Sequence, residues 1–249
     1  MQRYGVLKEQ LLQLNLDAVA EHFLAKATES RKQGLDYEEY LAQLIAMQLE
    51  RKRQRSINYR LRIARFPEIK TIEGFNFDFQ PSIDRQKLFS LLDFEFIKRA
   101  ENILFLGPPG VGKTHLAIAL GIKACEQRIR THFITAQQLL ENLKMAQLSG
   151  TFPETLDRYS RFELLIIDEL GYLPMKAEDA KIFFKLVSMK YEKTSIIITT
   201  NQPFKQWGEV FQDEVIATAI LDRLLHHAVI FKIQGKSYRM KDKMIEENK

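Results

Sequence analysis

Apolar and polar positions along the chain follow two different periods. In residues 1–65 the apolar positions recur at helical spacing, as Leu7, Leu11 and Leu14 illustrate. From Asn102 onward, short apolar runs alternate with stretches of helical period. Such runs are typical of strands buried on both faces of a parallel sheet. The pattern therefore predicts a helical N-terminal segment followed by an α/β domain.

The N-terminal segment is predicted to contain a break and a restart. Gly34 provides the break and Asp36 an N-cap for the next helix. Phe66-Pro67 then ends the segment, because the residue before a proline avoids the α region. We place a small N-terminal helical domain at residues 1–68 and the α/β domain at residues 69–249.

A connector over Ile69–Ser82 leads into the second domain. Phe75, Phe77 and Phe79 alternate with polar residues there, which predicts a short extended piece with one buried face. Further on, strands are predicted at Ile103–Leu106, Thr131–Thr135, Leu164–Ile167, Ser195–Thr199 and Val229–Ile233. Helices are predicted at Asp84–Arg99, Lys113–Glu126, Gln137–Leu148 and Lys176–Tyr191.

A glycine-rich loop joins the first of these strands to a helix. It fits the pattern G-x-x-x-x-G-K-[ST], in which backbone N–H groups surround phosphate oxygens at a helix N-terminus. Lys113 is predicted to reach the β- and γ-phosphates of ATP, and Thr114 to bind Mg²⁺. The predicted nucleotide-binding residues are Gly107, Pro108, Pro109, Gly110, Val111, Gly112, Lys113, Thr114 and His115.

An acidic pair ends the strand at Leu164–Ile167. Ligands of open α/β sheets bind at the carboxyl ends of the strands, where these carboxylates would lie. Asp168 is predicted to hold Mg²⁺, and Glu169 to polarise the water that attacks the γ-phosphate. Downstream of a phosphate-binding loop this is a strong signal, although by itself it is weak.

Three later residues complete the candidate catalytic set. Asn201 follows the strand Ser195–Thr199 and fits a sensor that positions the attacking water, or else a plain turn. Arg223 is a candidate to stabilise the transition state in a neighbouring subunit, or else forms an ion pair with Asp222 or another neighbour. Arg239 is a weaker candidate for a second phosphate sensor.

Other chemically suggestive residues have simpler interpretations. His226 and His227 are adjacent, so on a helix they would point in different directions, which is not metal-ligand spacing. Cys125 is the one cysteine and has no partner for a disulfide. Trp207 is interpreted as an anchor of the loop that follows Asn201.

Charge is unevenly distributed between the two domains. Residues 1–70 carry 13 Lys/Arg and 9 Asp/Glu, while residues 71–249 carry 24 and 23. The excess lies in a run from Arg51 to Arg65, which is either a phosphate-backbone footprint or a solvated helix face. The candidate DNA-binding residues are Arg51, Lys52, Arg53 and Arg55. The chain has no membrane-length apolar run, signal-peptide pattern or cysteine pair, so we expect a cytoplasmic protein without a membrane partner.

The motifs together resemble those of a known family. The segments GPPGVGKTHLAIALG, LLIIDELGYLP, TTNQPF, LDRL and GKSYRMK are similar to the IstB-like ATP-binding proteins of bacterial insertion sequences. These are AAA+ ATPases of the initiator clade, related to DnaC-type helicase loaders, and the resemblance covers nearly the whole chain.

The resemblance implies a fold and a biological role. It implies a five-stranded parallel sheet with the Asn201 strand between the other two motif strands, and an extra helix within residues 137–159. The little sequence after Arg239 leaves no separate C-terminal lid to be expected. It also implies an ATPase that binds duplex DNA without strong sequence preference and assists a transposase. Its homo-oligomers would complete each ATP site with an arginine from the neighbouring subunit.

Two other functions remain open from the sequence. A DnaC-like loader would keep every ATPase residue and exchange the transposase for a replicative helicase. A P-loop small-molecule kinase would need an acceptor pocket, and the glutamate at position 169 and the later sensor strand argue against it.

Overall fold

The computed structural model describes residues 2–172 and 175–240, with the side chains of residues 2 and 3 left aside. The chain divides into two compact units, residues 1–59 and 60–249. The sequence interpretation places the boundary later, after residue 68. No helix among the described residues is both long enough and apolar enough to cross a membrane.

The N-terminal unit is helical, as predicted. Its helices are α1 (Gln2–Gln13), α2 (Asp17–Gln33) and the long α3 (Tyr37–Ala64), which runs past the unit boundary. Gly34 adopts φ +69° and ends α2. Asp36 and Glu39 then form a reciprocal capping box, each side chain accepting the other's backbone N–H at 2.7 and 3.2 Å. The predicted break and restart are therefore confirmed.

A five-stranded parallel sheet organises the second unit, in the order β2-β3-β4-β1-β5. The strands are β1 (Asn102–Leu106), β2 (Thr131–Thr135), β3 (Leu164–Leu170), β4 (Ser195–Thr200) and β5 (Ala228–Lys232). The predicted strands are confirmed to within a few residues. The fourth strand lies between the first and the third, as the resemblance implies.

Helices cover both faces of the sheet. They are α4 (Arg85–Ser90), α5 (Glu95–Lys98), α6 (Lys113–Glu126), α7 (Ala136–Leu148), α8 (Phe152–Ser160), α9 (Ala177–Lys190), α10 (Trp207–Phe211) and α11 (Glu214–His226). Because successive side chains of a strand point to opposite faces, Leu165 and Ile167 enter one core with α7 to α11. Leu164 and Ile166 enter the other core with α4 to α6. The α7–α8 pair provides the extra helix expected within residues 137–159.

Two local predictions are wrong. Residues 72–82 form a series of turns and bends rather than an extended piece. The Asn76 side chain accepts the N–H of Phe79 at 2.9 Å, a local hydrogen bond that competes with strand pairing. The helix expected over Asp84–Arg99 is interrupted at Phe94, which is buried and has φ +58°. The Asp93 carboxylate accepts the N–H of Glu95 at 3.0 Å and so starts a separate helix there.

Candidate nucleotide-binding site

The glycine-rich loop lies at the carboxyl edge of the sheet, between β1 and α6. Gly110 and Gly112 have φ values of +79° and +96°, which L side chains rarely adopt. A Cβ atom on Gly110 would lie 2.0 Å from Ser237 Oγ, and one on Gly112 would lie 2.4 Å from the ring of Phe75. Only glycine therefore fits either position. The resulting cradle of backbone opens onto the N-terminus of α6, which suits a phosphate chain.

Lys113 is held against the loop from which it projects. Its ammonium group donates to the carbonyl oxygens of Gly107 and Pro108 at 2.7 and 2.8 Å. Burial lowers the pKa of Lys113, and the negative charge of Asp168 opposes that change. A partly desolvated cation in this position gains from an anion, so the residue fits a phosphate partner.

Asp168 links the end of β3 to the loop. It is 4% exposed, and its Oδ1 accepts hydrogen bonds from Thr114 Oγ1 at 2.9 Å and Thr199 Oγ1 at 2.5 Å. Burial raises the pKa of Asp168, while the two threonine hydroxyls act to lower it. Adjacent hydroxyl and carboxylate oxygens are the ligands that Mg²⁺ prefers. The predicted pair Thr114 and Asp168 is thus brought together, and the residues fit that ion.

Glu169 follows Asp168 in a left-handed backbone conformation, with φ +60°. Its N–H donates to Thr199 Oγ1 at 2.9 Å, and its side chain is exposed beside a cavity of about 520 Å³. Thr199 therefore contacts both acidic residues, through its hydroxyl donor and its acceptor lone pairs. Sequence reasoning missed Thr199. The available signal was a polar residue that immediately follows the isoleucine run of β4.

The loop also borders a cavity of about 320 Å³ with walls from both ends of the second unit. Phe75 and Asn76 come from the connector, and Tyr238 and Arg239 from the C-terminal part of the described chain. The N–H of Tyr238 donates to the carbonyl of Gly110 at 2.9 Å. Sequence reasoning gave Arg239 only a weak role and did not assign Phe75 or Tyr238. These walls depend on chain segments far apart in sequence.

His115 and Asn201 occupy the same edge with different surroundings. His115 Nε2 lies 2.8 Å from the carbonyl of Thr71, and its ring packs edge-on against Phe75 at 5.1 Å. Asn201 directly follows β4 and is half-buried. Trp207, 1% exposed, donates to the carbonyl of Gln202 at 3.3 Å, which confirms it as an anchor of this loop.

Arg223 lies elsewhere in the second unit. It belongs to the last turn of α11, and the carbonyl of the next residue, Leu224, accepts a hydrogen bond from Asn102 at the amino end of β1. Its guanidinium stacks on Phe184 at 4.5 Å and donates to the Ala219 carbonyl at 3.1 Å. The structure therefore does not join Arg223 to the glycine-rich loop, which follows the opposite end of β1.

The four candidate DNA-binding residues of α3 fall into two classes. Arg51 pairs with Glu21 at 2.7 Å and with Asp17 at 3.2 Å, and Arg55 pairs with Asp17 at 2.7 Å. Partial burial raises the pKa of Asp17, but hydrogen bonds from Arg51 and Gln48 outweigh it and hold the pKa below its usual value. Lys52 and Arg53 are exposed, and within the described chain neither has an ion-pair partner.

Comparison with known proteins agrees with this geometry. The family model of the IstB-like ATP-binding proteins matches residues 9–245. An ATP-binding protein of insertion sequence IS232 from Bacillus thuringiensis is 44% identical over 245 residues, which cover 98% of each chain. Its counterpart from IS21 of Pseudomonas aeruginosa is 44% identical over 237 residues, covering 95% of this chain and 89% of that protein.

Among solved structures, AMPPCP-bound DnaA from Aquifex aeolicus shares the fold. The TM-score is 0.53 at 22% identity, over 72% of this chain and 55% of the DnaA chain, so the shared region is about half of DnaA. The α/β unit is therefore an AAA+ P-loop fold. With the family model matching almost the full sequence, the chain belongs to the IstB-like ATP-binding proteins.

Proposed function

We propose that this protein is an ATP-hydrolysing regulator of DNA transposition that assembles on duplex DNA and assists a transposase. The observation that carries the ATPase part is the hydrogen-bonded network of Thr114, Asp168, Thr199 and Glu169 beside the glycine-rich loop. Insertion-sequence relatives at 44% identity support the transposition part.

The loop residues Gly107 to Thr114 bind the phosphates of ATP, and Lys113 exchanges its loop carbonyls for phosphate oxygens. Thr114 and Asp168 hold Mg²⁺, which supplies charge neutralisation for phosphoryl transfer when bound. Glu169 takes the proton of the attacking water, and Asn201 orients that water. Asp168 is buried and already accepts two hydrogen bonds, so the exposed Glu169 is better placed as the base.

Arg223 completes the ATP site of a neighbouring subunit. It lies beside the amino end of β1, whereas its own glycine-rich loop follows the carboxyl end. Five strand residues span roughly 16 Å, beyond the reach of an arginine side chain that is already stacked on Phe184. Contact with a γ-phosphate therefore requires a second copy of the chain.

The DNA contact is assigned to the exposed basic side chains of α3, of which Lys52 and Arg53 are the most available. Their charges would neutralise backbone phosphates without reading sequence.

The test of the proposed function measures the ATPase rate and the particle mass, with and without duplex DNA, for wild type and Glu169→Gln. We expect ATP and DNA together to raise the mass, and the variant to bind ATP, turn over very slowly and remain in the assembled state.

Unchanged rate and mass in the presence of duplex DNA would contradict the DNA-regulator function. The N-terminal unit would then face a protein, and binding to a replicative helicase rather than a transposase would support the loader alternative. Normal hydrolysis by Glu169→Gln would instead contradict the role of Glu169 as the base.

A mixing experiment tests the role of Arg223. Glu169→Gln and Arg223→Ala should each be nearly inactive alone. In mixed assemblies an Arg223→Ala subunit keeps Glu169 and receives an arginine from its neighbour, so part of the activity should return. A matched control is Arg158→Ala, which removes another arginine stacked on an aromatic ring, Tyr159. No recovery on mixing would contradict donation between subunits.

A further inference from the structure

A cluster of two histidines and a glutamate lies at the amino edge of the sheet, away from the nucleotide site. Glu192 Oε1 is 3.7 Å from His226 Nδ1 and 3.8 Å from His227 Nε2. One potential ligand atom from each residue lies within 4.8 Å of the others. None of the three residues has a part in the proposed ATPase chemistry. The prediction that these adjacent histidines would point in different directions assumed that both lie on a helix.

The end of α11 explains why the two histidines converge. The helix ends at His226, and His227 leaves it with φ −128° and ψ 86°. The two rings therefore do not follow helical spacing, and their centroids lie 4.1 Å apart. The carbonyl of His227 accepts the N–H of Asn102 at 2.7 Å, so the sheet fixes the backbone that carries the second ring.

The turn after α9 brings the carboxylate to the same place. Glu192 has φ +57°, a conformation that is uncommon for a residue other than glycine. The N–H groups of Lys193 and Thr194 both donate to the carbonyl of Lys190, at 3.0 and 3.1 Å, and they hold this turn. The carboxylate is thus carried by the turn after α9, and the two imidazoles by the end of α11.

The distances suit a small ion with nitrogen and oxygen ligands. Donor atoms bound at about 2.0–2.1 Å to one tetrahedral ion lie roughly 3.4 Å apart, only slightly closer than the two Glu192–histidine distances. The three side chains are about half exposed, so an ion and its waters can enter. Two imidazoles and one carboxylate favour a transition metal over Mg²⁺ or Ca²⁺, which prefer oxygen ligands.

A neighbouring tyrosine contacts one of the potential ligand atoms. Tyr191 Oη lies 2.7 Å from His226 Nδ1. A hydroxyl that donates to Nδ1 engages the one lone pair of that nitrogen, so an ion bound at Nδ1 would take the place of this hydrogen bond.

We propose that Glu192, His226 and His227 bind one divalent transition metal ion of the zinc class. The ion would join the turn after α9 to the end of α11, the helix that carries Arg223. Three protein ligands leave the remaining positions to water or to a group from another molecule.

The test uses the full chain without a histidine tag. Excess Mg²⁺ is present so that the proposed Mg²⁺ site at Thr114 and Asp168 is filled. Titration calorimetry with Zn²⁺ and the visible absorption of Co²⁺ report affinity, stoichiometry and nitrogen ligation. We expect one ion per chain, and at least about tenfold weaker binding in His226→Gln, His227→Gln and Glu192→Gln. Saturating Zn²⁺ should also raise the midpoint temperature of unfolding of wild type, but not that of these variants.

The matched control is His22→Gln, which removes a histidine that lies 3.7 Å from one glutamate, Glu21, in the N-terminal unit. It should bind Zn²⁺ as wild type does. Circular dichroism shows whether each variant is folded before its affinity is compared. Less than one ion per chain, or equal affinity in wild type and all three cluster variants, would overturn the site.

Discussion

At the scale of single residues, Thr199 connects the two acids of the ATP site. Its hydroxyl donates to Asp168 at 2.5 Å and accepts the N–H of Glu169 at 2.9 Å. A buried hydroxyl with both functions used fixes the orientation of its partners, because any rotation would leave a polar atom unpaired. Thr199 thus holds together the carboxylate that is proposed to bind Mg²⁺ and the left-handed backbone of the proposed base.

Replacing Thr199 with valine should separate binding from turnover. The side chain keeps its shape and loses both hydrogen bonds, so we expect KM for ATP within a few-fold and kcat lower by about 10- to 100-fold. Steady-state ATPase kinetics measure both values. Thr131→Val, a buried threonine at the start of β2, is the control. Equal kcat in the two variants would contradict a positioning role for Thr199.

Lys190 presents a different residue-scale effect, because it is buried without an acidic partner among the described residues. It is 1% exposed, and its ammonium group donates to the Phe162 carbonyl at 2.7 Å. Burial lowers the pKa of Lys190 from 10.5 to about 7. Between these values the unfolded chain binds a proton that the folded chain does not. The free energy of unfolding should therefore rise with pH across this window.

Lys190→Met should remove that pH dependence. In wild type, the contribution of Lys190 to the free energy of unfolding rises by at most roughly 1.4 kcal/mol per pH unit. The variant lacks this rise, so its stability relative to wild type should be highest near pH 7 and lower near pH 10. Loss of the Phe162 partner lowers stability similarly at every pH and does not change the slope. Urea unfolding at several pH values measures the pH dependence of the free energy of unfolding. The control is Lys181→Met, which changes an exposed lysine. Parallel pH curves for wild type and Lys190→Met would contradict the argument.

At the scale of elements, the basic residues of α3 divide into two groups with different roles. Arg51 and Arg55 face Asp17 and Glu21 of α2 and connect the two helices. Lys52 and Arg53, between them in sequence, point to solvent. Helical geometry explains the division, since residues four apart share a face and the intervening residues do not.

Paired substitutions should separate these roles. Lys52→Ala with Arg53→Ala should weaken duplex binding and reduce the salt slope by about 2, with stability unchanged. Arg51→Ala with Arg55→Ala should lower the stability of the N-terminal unit. Fluorescence anisotropy across a salt series measures the first effect and thermal unfolding the second. The exposed pair Arg31→Ala with Lys32→Ala on α2 is the control, and an equal loss of DNA affinity there would mean a nonspecific charge effect.

At the scale of the whole molecule, each compact unit has its own core. The N-terminal core is small and centres on Val19, Phe23 and Leu44. The second unit has two larger cores, one on each face of the sheet. All residues assigned to ATP binding lie in the second unit. We therefore expect nucleotide binding to stabilise residues 60–249 directly.

Calorimetry should show this division. We expect two unfolding transitions. ATP with Mg²⁺ should raise the midpoint temperature only of the transition that belongs to residues 60–249. Glu169→Gln prevents turnover during the measurement, and ligand at 100 times Kd contributes about 2.7 kcal/mol. The same titration of a Lys113→Ala/Glu169→Gln double variant is the control and should show little shift. A single transition that moves as a whole would contradict independent unfolding of the two units.

Local patterns were sufficient to predict several parts of the protein. Helix Lys113–Glu126 and strand Thr131–Thr135 have the predicted bounds, because apolar periodicity and glycine at the loop fix them locally. The glycine-rich loop and the acids at 168 and 169 were likewise predicted, since contiguous motifs encode them. The capping box at Asp36 depends on residues only three apart.

Contacts between residues far apart in sequence could not be predicted without the fold. Thr199 contacts Asp168 because β3 and β4 are neighbours in the sheet. Phe75 and Tyr238 line the same cavity beside the loop, although they lie near the two ends of this unit in sequence. Glu192 approaches His226 and His227 because the turn after α9 meets the end of α11 at the amino edge. Turn side chains also overrode the pattern at Asn76 and Asp93. Periodicity reports how much of a side chain is buried, whereas its partners depend on the order of strands and the path of the turns.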